Sequence, residues 1–359
     1  MEPIILDDHP YAAELFPFAE TRSVADIRVG ILTIRQKWEI VLGRPVATSS
    51  EKGISQLTPA RRLVPANVVP TPQWITEYDK GELAIDEIAD PDLVNSIAYP
   101  WDIFKLNDWA LRQDFPLITQ NRQSAPIPDN VRVIQPENIF IEPGAVLNDC
   151  VLNASTGPIY IGANTEVMEG ATIRGPFALC EGAVVKMGAK IYGATTVGPN
   201  SAVGGELKNV VIFGNSNKAH DGYLGDAVLG EWCNLGAGTS ASNVSNNAGI
   251  VKVWNNAAQQ FDDAGIKCGL LMGDYSRAAI NTAFNTGSVV GICCNIFTAG
   301  LVPKYVPSFT WGDGKAGSYT FSKAIEHIGN WKKFKKQALS NVEIQRLKHI
   351  FDTLSSHTA

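Results

Sequence analysis

A parallel β-helix built from six-residue repeats is the fold class this sequence predicts, with a smaller α/β domain before it and a helical tail after it. Three observations predict it. From Ile161 an aliphatic residue recurs every six positions, as Val167, Ile173, Leu179, Val185, Ile191, Val197 and Val203. Four residues after each comes a mostly small one: Thr165, Ala171, Phe177, Ala183, Ala189, Thr195, Ser201 and Leu207. Gly, Asn and Pro crowd the positions between. Such a chain coils round a triangular prism. The aliphatic side chain fills the inside of each flat face, the small residue lets the backbone turn the corner, and each coil buries its core only against its neighbours.

Residues 1–135 read as the separate α/β domain. Ile4, Ile5 and Leu6 form a first strand, followed by Asp7 and Asp8. Residues 23–42 read as one amphipathic helix, with Val24, Ile27, Ile31, Ile34, Trp38 and Val41 on one stripe. Ser23 and Asp26 make its capping pair and Gly43 its stop. Residues 44–75, rich in Pro, Ser and Thr, read as loop. A second helical stretch runs from Tyr99 to Leu111, and 124–129 reads as a linker.

The β-helix is expected over 136–303. Ile141 and Leu147 keep the period, and a two-residue insertion near 155–157 resets it. It resumes at Val211, Tyr223, Leu229 and Leu235, then at Ile266, Met272, Ala278, Phe284, Val290, Ile296 and Val302. Interruptions at 208–222 and 240–265 would loop out of a coil, and such insertions often build a solenoid's binding face. Residues 304–359 read as an extended arm and two helices. The second helix opens with a capping box of Ser340 and Glu343. The first carries Lys332, Lys333, Lys335 and Lys336, either a solvated face or a hold on an anionic cofactor tail.

Composition narrows the function classes. With 359 residues, 45% hydrophobic and 18% charged, the chain reads as a folded soluble protein with room for two domains. A net charge of −6 without a basic stripe argues against nucleic acid as a partner. No basic leader and no apolar run of about 18 residues is present, so neither secretion nor a membrane span is expected. The six cysteines lack C-x-x-C spacing and are expected as small apolar residues of a cytoplasmic protein, with no metal site.

Chemistry is expected in the first interruption. Segment 217–226 reads Asn-Lys-Ala-His-Asp-Gly-Tyr-Leu-Gly-Asp, and 229–239 reads Leu-Gly-Glu-Trp-Cys-Asn-Leu-Gly-Ala-Gly-Thr. Lys218, His220, Tyr223, Asp226 and Asn234 thus gather near one coil junction, which a β-helix does not need for its own stability. His220 is the only histidine between residues 10 and 326, and neutral imidazole is the natural general base near neutral pH.

Those two segments resemble the acetyltransferase domain of the bifunctional N-acetylglucosamine-1-phosphate uridyltransferase/glucosamine-1-phosphate acetyltransferase family. The likeness covers roughly residues 137–303 and is most specific at 218–243. It implies a left-handed β-helix, a homotrimer and acetyl-CoA bound between subunits. It also implies that His220 is the base, with Lys218, Tyr223 and Lys252 holding a sugar phosphate and Asn234 and Asn243 lining the sugar site. Ser276, Arg277, Ala299 and Lys304 fall near coils that bind coenzyme A in that family. Two departures bear on the acceptor: Lys218 and His220 stand one residue closer than in the family, and 255–265 has no counterpart.

Residues 25–39 and 100–104 make the amino-terminal domain similar to a sugar-nucleotidyltransferase domain. Active members place a Gly-rich, basic loop after the first strand to cradle phosphates. This chain has no glycine there and carries Asp7, Asp8 and Glu14, so a reduced, structural domain is expected, with Mg only if it is active.

Three readings stay open. One is an acyltransferase acting on an amino-sugar phosphate or nucleotide sugar. Another is a nucleotidyltransferase using UTP or dTTP, whose β-helix serves trimerisation. The third is a carbonic-anhydrase-like zinc protein. The zinc reading needs about three histidines per site, and one per chain in the coils is too few unless three subunits meet.

Overall fold

In the computed structural model, which describes residues 3–9, 11–52, 62–83, 90–313 and 319–356, the repeat positions stack into parallel ladders. Val167 pairs with Val185 and Val185 with Val203, so three hexads, 18 residues, make one coil. The eight aliphatic positions from Ile161 to Val203 are each at most 1% exposed. Burying a side chain of this size is worth about 1.5–3 kcal/mol. The ladders form one core running from Val131 to Val306.

The prism has three faces. On the first, strands Ile139–Ile141, Ile159–Ile161, Phe177–Leu179 and Thr195–Val197 continue to Leu271–Met272, Val289–Val290 and Tyr305–Val306. The second is an eight-stranded sheet that includes Ala202–Val203, Asn217–Lys218, Asn234–Leu235 and Arg277–Ala278. The third runs through Val151–Asn153, Thr172–Arg174 and Lys190–Tyr192 to the first halves of Glu206–Gly214 and Tyr223–Glu231.

The six-residue count fails where coils change length. Val203 pairs with Lys218, fifteen residues on, so the register slips. Val210 and Ile212 point into the prism, while Val211 points outward. Leu224, not Tyr223, fills the interior. Ile266 is exposed because the chain leaves the coil between Ser240–Ala241 and Leu271–Met272, an excursion that holds an antiparallel hairpin, Lys252–Asn255 with Gln260–Asp263.

The amino-terminal segment covers the first face. Its parallel sheet sets Ile4–Asp7 between Ala47–Thr48 and Arg62–Pro65. The long helix expected over 23–42 is present only as Ile34–Leu42, begun by a Thr33/Gln36 capping box and ended by Gly43 in the left-handed region. Before it, Ser23 caps a single 3-10 turn, Val24–Asp26. The break is tertiary in origin: Asn107 accepts from the Gly30 amide, and buried Asp114 accepts from those of Ile31 and Leu32. Residues 44–75, expected as loop, hold strands Arg62–Pro65 and Val68–Pro70 and the start of helix Pro72–Lys80, while 53–61 lie outside the described residues. The second helical stretch appears as Asp102–Lys105 and Asn107–Thr119.

Trp38, Trp74 and Phe18 of this segment share a core with Val211, Phe213, Val228, Leu271 and Val289 of the β-helix. The carboxyl-terminal helices, Phe321–Phe334 and Asn341–Ser356, pack on the second face through Ile328 and Leu347 against Trp232, Tyr275 and Ile292. The Ser340/Glu343 capping box is formed. Lys332 of the lysine run is paired with Glu343, and Lys335 donates to the Asn200 and Asn215 carbonyls. Among the described residues no flanking element covers the third face at Thr172, Arg174 and Lys190, which stay exposed.

Candidate active site at an edge of the prism

His220 lies on the turn that leads from strand Asn217–Lys218 on the second face to Tyr223 on the third. Gly222 makes that turn possible. Its φ is +122°, and a Cβ there would lie 2.1 Å from the Thr239 carbonyl oxygen of the next coil. The Gly238 amide donates to the Asp221 carbonyl at 3.1 Å, tying the turn to the coil above. His220 itself is exposed, and its imidazole bonds to no described residue.

Lys218 does not reach outward. It occupies the interior ladder position between Val203 and Leu235 and is 1% exposed. Its ammonium donates to the carbonyl of Gly204 at 3.4 Å and to that of His220. Burial pulls its pKa down to about 8, against the opposing pull of Asp221. The lysine expected to hold phosphate therefore anchors the backbone under His220.

Tyr223 points outward on the third face, in register with Glu206, and Tyr192 from the coil below donates to Glu206 at 2.6 Å. Burial, with Asp226 near, pushes the Tyr223 hydroxyl up to about 12. At the far corner Asp226, with φ at 45°, accepts from Asn209 at 2.7 Å and from Asn243. Tyr223, beside the histidine edge, and Asp226 with Asn243 at the opposite corner thus form a polar strip across the third face. Glu206 and Tyr192 are not singled out by the six-residue count; a coil of seventeen residues sets Glu206 directly below Tyr223, and one of sixteen sets Tyr192 below Lys208 on the neighbouring position of that face.

The other expected site residues lie elsewhere. Asn234 is on the second face, accepting from Asn217 at 3.4 Å, and Lys335 donates to that same Asn217 at 3.2 Å. Arg277 is on the next rung, its guanidinium 5.5 Å from the Trp331 ring, with Nε and Nη2 buried and unpartnered among the described residues. Burial lowers its pKa. Ser276 is wholly buried and donates to the Gly291 carbonyl at 2.7 Å. Lys252 pairs with Asp263 on the hairpin, and Lys304 donates to the Lys252 carbonyl at 3.4 Å. Ala299 is exposed in the turn after Asn295–Ile296. The structure brings Lys218, His220 and Tyr223 to one coil and Asn234 and Asn243 to the next, Asn234 on the second face and Asn243 beyond the third-face strand, and sets Ser276 and Arg277 one coil further on.

In the amino-terminal segment the carboxylates accept from the chain itself, although Asp8 Oδ2 is buried with no partner among the described residues. Asp8 accepts from the Ser23 hydroxyl at 2.7 Å and the Val24 amide at 2.8 Å, and Glu14 accepts from Asn255 at 3.1 Å. All six cysteines are free and buried. No helix among the described residues is long and apolar enough to cross a membrane.

Fold and edge together define a hexapeptide-repeat β-helix protein with an α/β segment docked on one face. Residues 4–83 match the family model described as sugar nucleotidyl transferase. The chain is 30% identical over 227 residues to the bifunctional protein GlmU of Methanocaldococcus jannaschii, covering 60% of this chain and 47% of that protein. It is 29% identical over 247 residues to the bifunctional sugar-1-phosphate nucleotidylyltransferase/acetyltransferase of Sulfurisphaera tokodaii, covering 65% of this chain and 55% of that protein. The chain thus spans about half the length of the curated relatives it matches. A solved UDP-N-acetylglucosamine acyltransferase of Francisella novicida gives a TM-score of 0.35 at 16% identity, over 63% of this chain and 76% of its own.

Proposed function

We propose that this protein is an acyltransferase that moves an acyl group from acetyl-CoA or a similar thioester to an amino-sugar phosphate or nucleotide sugar. The observation that carries the reading is the exposed His220 on an edge built for it, its carbonyl held from inside by Lys218 and the polar strip of Tyr223 beside it. The His220 imidazole takes the proton from the acceptor amine as its nitrogen attacks the thioester carbonyl. The carbon–sulfur bond then breaks, and the departing thiolate takes that proton. The names of the relatives, which pair sugar-phosphate nucleotidyl transfer with acetyl transfer, support the donor and acceptor classes. Buried, unpaired cysteines support a cytoplasmic setting.

Replacing His220 with Ala tests this. A positioned base contributes about 10²–10⁴-fold, and the variant should lose that much acyl transfer while keeping its fold and coenzyme A binding. Transfer at the parent rate would return His220 to an ordinary turn residue.

A second reading, nucleotidyl transfer from UTP or dTTP, is favoured by the family match at residues 4–83. The engaged Asp8 and the missing Gly-rich loop oppose it, and Mg would enter only with that activity. Ligands that bind only the folded state raise its apparent stability, so thermal shift with acetyl-CoA, UTP, dTTP and zinc separates the readings.

A further inference from the structure

A groove of about 370 Å³ lies on the third face, lined by Asn153, Thr172, Arg174, Lys190 and Tyr192 among others. That volume falls within the range of small-ligand sites, about 300–1,000 Å³. Strands Val151–Asn153, Thr172–Arg174 and Lys190–Tyr192 contribute two cations to it and no carboxylate. Arg174 and Lys190 are exposed and ion-paired with no described residue. One coil above, Lys208 lies 5.7 Å from the Tyr192 ring. Lys190 and Arg174 stand diagonally on adjacent rungs, Lys190 between Thr172 and Glu206 and Arg174 beside Asn153. Their cost in repulsion is offset when an anion lies between them.

Their spacing from the histidine edge gives the ligand a shape. Lys208 pairs with Gly225 on the Tyr223 strand, Lys190 lies one strand lower beside Glu206, and Thr172 one lower still beside Lys190. Neighbouring strands lie about 4.8 Å apart, so these rungs stand at roughly 5, 10 and 14 Å from the coil of His220. A hexose whose amine meets His220 sets its anomeric phosphate near Lys208. A second phosphate then falls at Lys190, and a nucleoside beyond it reaches Arg174, whose planar guanidinium both binds phosphate and stacks on rings. A sugar monophosphate would leave Lys190 and Arg174 unused.

We propose that the acceptor is a nucleoside diphosphate sugar, held along the third face by Lys208, Lys190 and Arg174 with its nucleoside in the groove. This rests on the acyltransferase reading and narrows its acceptor. The same chemistry, a nucleoside diphosphate, also belongs to coenzyme A, so the test must tell the two apart.

Calorimetric titration of the full chain with UDP, dTDP and coenzyme A does so, on the parent, on Arg174→Ala/Lys190→Ala and on His220→Ala. Both groove residues are exposed, and an unchanged melting temperature checks that the double variant is folded. One of the two nucleoside diphosphates should bind the parent and His220→Ala alike and bind the double variant about 10–100-fold more weakly. Saturating coenzyme A should not displace it. Three results would overturn the proposal: neither UDP nor dTDP binds, the double variant binds as the parent does, or coenzyme A competes. The His220→Ala transfer rate is a separate readout. It sinks the acyltransferase reading if unchanged, whatever the titrations give.

Discussion

Lys218 stands where every other coil of its ladder sets an apolar side chain, and its ammonium joins the carbonyl under His220. Lys218→Met would keep the length of the side chain, suit the apolar interior and remove that tie. We expect a melting temperature at or above the parent's and acyl transfer down about tenfold, the worth of one hydrogen bond of about 1.4 kcal/mol. Unchanged transfer would make Lys218 a passive filler. A second buried group gives a pH signature. Burial raises Glu20 from 4.5 to about 7, against a hydrogen bond from Ser308 and with Asp274 adding to the rise. The folded state therefore prefers the protonated acid. The stability this contributes is fully present below pH 4.5 and lost as pH rises to about 7. Glu20→Gln should match the parent near pH 4.5 and exceed it by up to roughly 3 kcal/mol at pH 8, as chemical denaturation would read.

At the scale of single elements, strand Ile4–Asp7 and the turn after it decide whether nucleotidyl transfer survives. Asp8 has its carboxylate on Ser23 and the Val24 amide, and no glycine offers amides to a phosphate. Incubation with UTP or dTTP and a hexose-1-phosphate should release no pyrophosphate above background, and release would revive that activity. The repeats from Ile161 to Val203 were legible because each coil there has the same length. Legibility ended at the short coil to Lys218, since a shift of one residue exchanges inside for outside: Val211 and Tyr223 were assigned inward, and Lys218 outward. The helix expected from residue 23 failed for another reason. Its stripe was real, but Asp114, some eighty residues away, captures the amides that would have continued it. His220 could be singled out as a lone histidine in an interruption. The burial of Arg277 could not, because it depends on a helix forty residues further on folding back over it.

At the scale of the whole molecule, the described residues of the flanks cover two of the three faces and leave the histidine edge bare. Met187 and Ile280, exposed at 68% and 69%, and Phe297 at 41% lie along that edge. Apolar groups in a row beside the exposed His220 fit a cleft closed by another copy. Light scattering at micromolar concentration should therefore give three times the 38.7 kDa chain mass. A stable monomer would remove the shared cleft. The flank on the first face has a consequence for synthesis. Trp38 and Trp74 leave the ribosome early, yet Phe213, Leu271 and Val289 complete their core. At about 5–20 residues per second, that first-made segment waits on the order of ten seconds for its other half. Its folding is thus settled by the last coils to be translated, and a chain stalled before them would display an open, adhesive aromatic surface to the cell.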